Sequence, residues 1–141
     1  MENLEGTAVM VHPGLTTDPV NMQGHLGTIS HVRYEDWTAY VKFSNQMIGL
    51  YDVSALLMLV PSEIVSDMLR TYVQETDMGT SDVLDILEMY LLHTSGNAKN
   101  QQEALDWAMT HATISQAIVF TVEDWMQFQL DRLDMQQQPG R

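Results

Sequence analysis

Five histidines, at positions 12, 25, 31, 93 and 111, are the first residues to test for chemistry, and His25 and His31 lie close to Glu35 and Asp36. Imidazole and carboxylate together can hold zinc or shuttle a proton. The spacing does not suit either task. His-x5-His has no fixed geometry on a strand, and there is no His-Glu-x-x-His pair. A metal-dependent enzyme built on His25 and His31 is therefore an alternative reading, and surface histidines are the expectation. His93 precedes Gly96 at the end of a helical pattern, where an imidazole complements a helix C-terminus. Asp82, Asp85 and Glu88 share one helix face and read as a solvated stripe. No Gly-x-Ser-x-Gly, phosphate loop or dinucleotide fingerprint occurs. The chain contains no cysteine, so thiol chemistry, disulfides and thiolate metal sites are excluded. No cofactor is expected.

Charge narrows the partners. The net charge is −13, from 19 acidic residues against six Lys and Arg. Nucleic-acid backbones are bound through basic clusters, and none is present, so nucleic acid is not an expected partner. Anionic membrane surfaces are disfavoured for the same reason. No apolar run approaches the roughly 20 residues of a membrane span. The acidic start, Met-Glu-Asn-Leu-Glu, lacks the basic and apolar regions of a signal peptide. A cytoplasmic protein is expected.

The elements that would position these residues fall into two halves. Over residues 1–60, short β-rich runs alternate with Gly, Pro, Asn and Asp. Thr7 to His12 reads as a strand with Val9 and Val11 on one face. A polar loop, 15–23, turns at Asp18-Pro19. Thr28 to Arg33 is the second strand. Thr38 to Phe43 alternates, with Ala39, Val41 and Phe43 inward. Met47 to Tyr51 follows, with Ile48 and Leu50 assigned inward and Met47, Gly49 and Tyr51 outward. A helical turn over 52–56 and a closing strand over 57–59 complete the set.

These residues resemble the SH3-like small barrels of the KOW and Tudor type. The resemblance is carried by Val9-x-Val11 and Gly14, by Gly24-x-x-Gly27-Thr-Ile29-x-x-Val32, by Tyr40-Val41-x-Phe43, and by Gly49-Leu50-Tyr51-Asp52 with Ala55-Leu56. It covers about residues 5–60 and implies a five-stranded barrel. KOW members that bind RNA are basic around the glycines; here Gln23, His25 and Leu26 stand there, so RNA binding is not carried over. Tudor-type cages bind methylated side chains through aromatic rings and an acid, a role that Tyr34, Trp37, Tyr51 and Asp52 would fill. Tyr34, Trp37, Tyr40 and Tyr51 form the candidate aromatic patch, and the simpler expectation is that Tyr40, Met47 and Tyr51 face outward on a hairpin and seat the helices.

After Pro61 the period becomes helical. Ser62 to Gln74 carries Ile64, Val65, Met68, Leu69, Tyr72 and Val73 on one stripe. Ser81 to His93 is apolar around most of its circumference and is expected to be the central, most buried helix. Thr94-Ser-Gly96-Asn97 ends it, and Asn100-x-x-Glu103 resembles a capping box for the third helix. A last helix is expected from about 113 to 135, with a weak point near Phe120-Thr121. Residues 136–141 read as a disordered tail. The last helix has an unusually wide apolar face, with Val119, Trp125, Met126, Leu130 and Leu133 placed for a protein interface, including one with a second copy.

The expected architecture is α+β: an N-terminal SH3-like barrel, 1–60, packed against a C-terminal bundle of about four helices, 61–135. The expected function is a non-catalytic protein-interaction module, a small adaptor or regulator. One narrower alternative is an accessory factor that contacts protein components of the transcription or translation apparatus.

Overall fold

A computed structural model describes residues 4–18, 20–75, 78–95 and 97–137. Pro19, Gly96 and residues 138–141 of the expected tail lie outside the described residues, as do the side chains of Met68, Tyr72 and Val73. The architecture is α+β, but the β half is an open sheet and not a barrel. Strands β1 (Ala8–Val11), β2 (Leu26–Arg33), β3 (Thr38–Lys42), β4 (Ile48–Asp52), β5 (Leu56–Leu59) and β6 (Val119–Thr121) form one sheet in the order β4-β3-β2-β1-β5-β6. Every neighbouring pair is antiparallel. A barrel needs its last strand to reach the free edge of the meander. Here β5 pairs with β1, and the chain then adds β6 outside β5. Strands β4 and β6 stay as edges.

The helices are α1 (Ser62–Glu75), α2 (Thr80–His93), α3 (Ala98–Met109), α4 (Ala112–Ile118) and α5 (Val122–Gln137). They do not form a bundle that follows the strands. Strand β6 divides the expected last helix into α4 and α5, at the predicted weak point, and the two halves serve opposite faces of the sheet. Val122, Trp125 and Met126 of α5 join Val9, Val11, Ile29, Val41 and Tyr51 in one core. Ile114, Ala117 and Ile118 of α4 join Met10, Leu59, Met89 and Leu105 in the other. All four residues of β1 are buried because it has helices on both sides. The wide stripe read across 114–133 was thus the sum of two helices that face different cores. Residues 136 and 137, expected in the tail, belong to α5.

Two strands depart from the expected pattern for identifiable reasons. In β2 the register shifts between Ile29 and His31, and this bulge lets Ile29 and Val32, three apart, face the same core. In β4 the two faces are exchanged. Val41 pairs with Gly49 and Ala39 with Tyr51, and residues directly opposite share a face, so Gly49 and Tyr51 point inward with Val41 and Ala39. Ile48 is the exposed residue. Gly49 makes this possible. A Cβ there would lie 2.7 Å from a ring carbon of Tyr51, so the ring occupies the space a side chain would take.

Candidate functional site

Helix α2 is the element where burial and composition disagree most. It was expected to be the most buried helix, and it is a peripheral one. Ile86, Met89 and Tyr90 are buried against the core that includes α3 and α4. On the other side, Leu84, Leu87 and Leu91 are 56%, 55% and 74% exposed. At about 100° per residue, Leu84 and Leu91 lie nearly opposite Ile86 and Met89. The helix therefore has two apolar faces, and only one is covered by its own chain.

The inner face is well fixed. Tyr90 donates its hydroxyl hydrogen to the Val60 carbonyl at the end of β5. Burial, with the charge of Glu63, raises the Tyr90 phenol above its ordinary value, so it stays protonated at neutral pH. Thr94 closes the helix: its N–H and its hydroxyl both donate to the Tyr90 carbonyl, at 2.9 and 2.7 Å. At the N-terminus Gly79 offers no side-chain cap. The stripe is thus presented on a helix anchored through its C-terminal half.

Beside that anchor lies a cleft of about 460 Å³, lined by Glu5, Glu63, His93, Thr94, Gln101 and the buried Trp125 among others. His93 packs edge-on to Tyr90, with ring centroids 5.9 Å apart. Its Nδ1 is shielded from solvent and has no hydrogen-bond partner among the described residues. Burial lowers its pKa, against an opposing pull from Glu63. His93 stands near the C-terminus of α2, as expected, and burial now dominates its titration.

The other residues singled out from sequence are scattered. His25 and His31 are exposed, and His31 Nδ1 lies 3.6 Å from Glu5 Oε1. Among the described residues no three His, Asp or Glu gather as a metal site. Tyr34 is exposed, Trp37 and Tyr40 are half-buried, and Tyr51 is 3% exposed, so Tyr51 is not part of an outward patch. The Tyr51 hydroxyl donates to both carboxylate oxygens of Asp18, at 2.8 and 3.0 Å, and ties the 15–23 loop to the sheet. Trp37 adopts φ +58° and borders a cleft of about 340 Å³ with Glu123, Asp124 and Gln127.

On α5, Trp125 and Met126 are buried in the chain's own core, and Trp125 stacks on Phe128 at 5.6 Å. Val119, Leu130 and Leu133 are half-buried. An interface on α5 would have to use Leu130 and Leu133 without Trp125 or Met126. The leucine stripe of α2 was missed because its residues had been counted as core. The available signal was the spacing Leu84-x-x-Leu87-x-x-x-Leu91, which recurs on one line of the helix independently of Ile86 and Met89.

Comparison with family models, curated proteins and solved structures gives no match for this chain. Among the described residues, no helix is long and apolar enough to cross a membrane.

Proposed function

We propose that this chain is a small non-catalytic protein-interaction module that docks a helix of a partner protein on the outer face of α2. The observation that carries this reading is the exposure of Leu84, Leu87 and Leu91. Scattered surface leucines need no explanation, but three at spacings of three and four form a continuous apolar line. That line has the period with which one helix packs against another. The occupant is therefore a helix with apolar residues at the same alternating spacing. The narrower alternative, an accessory factor of transcription or translation, rested on the barrel and gains no support from an open sheet.

The test is a selection from a displayed library of helical peptides on the full chain, with L84S/L87S/L91S as the counter-target. Circular dichroism and a melting curve first establish that the variant is folded. Enriched peptides with apolar residues at three-and-four spacing, bound at least about tenfold more weakly by the variant, support the reading. No enrichment, or equal binding to both proteins, overturns it.

A further inference from the structure

We infer that the helix docked on α2 belongs to a different protein and carries basic residues along one flank only. This rests on the docking reading above and adds the identity of the occupant. The charges of α2 are its three acids, Asp82, Asp85 and Glu88, and it contains no Lys or Arg. At about 100° per residue, Glu88 lies roughly 40° to one side of Leu84 and Asp85 roughly 100° to that same side. Glu88 and Asp85 thus make one acidic flank, and Asp82, on the inner side near Ile86 and Met89, is not part of it. The opposite flank holds Thr80, Val83 and Thr94, which are uncharged. His93 supplies no compensating charge to the docking face, because it lies on the inner side of the helix and burial disfavours its protonation.

A helix seated on the leucines meets the carboxylates of Glu88 and Asp85 on one flank of α2 and uncharged α2 side chains on the other. Lys or Arg beside its apolar seam, on the side facing Glu88 and Asp85, matches those carboxylates. Acidic residues there face like charge. The same geometry argues against a second copy of this chain. An antiparallel two-fold pair of α2 helices sets the two acidic flanks on one side of the seam, and either two-fold arrangement brings together two chains of net charge −13. No comparable penalty attaches to a basic partner, which gains encounter rate from the same field.

The experiment uses four synthetic helical peptides with an identical leucine seam. Three carry Lys, Gln or Glu along the flank that faces Glu88, and the fourth carries Lys on both flanks. Fluorescence anisotropy measures their binding to the full chain, to D85N/E88Q and to L84S/L87S/L91S, at about 20 mM and about 300 mM salt. The expected order at low salt is Lys over Gln over Glu, with at least about a tenfold span that shrinks severalfold at high salt. D85N/E88Q weakens the one-flank Lys peptide about threefold or more and leaves the Gln peptide unchanged. The two-flank Lys peptide binds no more than about twofold tighter than the one-flank peptide.

Equal binding of Lys and Gln peptides, lost in the leucine variant, overturns the charge inference and leaves the docking surface standing. A clear gain from the second Lys flank overturns the one-sided match. Self-association of the peptide-free chain that disappears in L84S/L87S/L91S overturns the different-protein clause and makes a second copy the occupant. No binding by any peptide removes the docking reading and the inference together.

Discussion

Replacing Tyr51 with Phe isolates one hydrogen-bond pair that links a loop to the far end of the sheet. The Tyr51 hydroxyl donates to Asp18 at 2.8 and 3.0 Å, and Asp18 also accepts from the N–H groups of Val20 and Met22. Burial alone would raise the Asp18 pKa. The hydrogen bonds from Val20, Tyr51, Met22 and Asn21 outweigh it and hold the pKa below the ordinary carboxylate value. Phe keeps the ring over Gly49 and removes only the donor. A hydrogen bond to a charged, partly buried acceptor is worth about 1–2 kcal/mol here, below the upper range because Asp18 stays partly hydrated. Asp18→Ala costs more, about 2–4 kcal/mol, since it also strands a shielded phenol. Urea unfolding of both single variants and the double variant at pH 7 measures the coupling, expected at about 1–2 kcal/mol. A carboxylate whose folded pKa is lowered stabilises above its unfolded pKa, near about 3.9, and that contribution disappears as pH falls through the folded value. The gap between wild type and Y51F should therefore narrow below about pH 3.9. A gap under about 0.3 kcal/mol at pH 7, or additive single effects, would refute the inward register of β4 and the loop tether together.

Gly27→Ala should destabilise by about 1–3 kcal/mol in a thermal or urea melt, through overpacking. The cause is close approach, because a Cβ there would meet Val41 Cγ1 at 2.5 Å and the Lys42 carbonyl at 3.0 Å. His93→Gln should flatten the stability profile on the acid side of neutrality: burial lowers the folded pKa of His93, so its stabilising contribution is complete above the unfolded value, near about 6.5, and is lost as pH falls through the folded one. Matching slopes for wild type and H93Q between about pH 6.5 and 5 would show that His93 charges freely in the folded state.

Legibility followed how far each pattern constrains its own geometry. Strand β3 was readable because Ala39, Val41 and Phe43 alternate with polar or amphipathic neighbours, which leaves one choice of face. Strand β4 was ambiguous: Ile48-Gly-Leu-Tyr fits either face, and only the Asp18 partner makes a buried phenol acceptable. The ends of α1 and α2 were close to expectation. The start of α3 was placed one turn late, because Asn97 is the cap and accepts from Lys99 N–H at 2.8 Å. The division between α4 and α5 had a local signal in Thr121-x-x-Asp124. Thr121 Oγ1 accepts from Asp124 N–H at 3.0 Å, and Asp124 Oδ2 accepts from Thr121 N–H at 3.1 Å, a reciprocal cap that starts a new helix. The sixth strand of the open sheet was not legible, since Val119-Phe120-Thr121 continues a helical stripe in the sequence.

Helix α2 misled because hydrophobic periodicity reports that a face avoids water, and not which molecule covers it. Ile86 and Met89 on one side and Leu84 and Leu91 on the other give a helix apolar on both faces, and an internal position is the usual inference from such a pattern. That inference requires an element left over to cover the second face. In this fold α3 and α4 join the inner face of α2 in one core, while α5 packs its buried residues on the opposite side of the sheet, with Val9, Ile29 and Val41. Among the described residues, none covers the leucine line well enough to bury it, as the exposure of Leu91 shows most directly. The same composition that made α2 look like the centre of the molecule thus makes its outer face the best place to look for a partner.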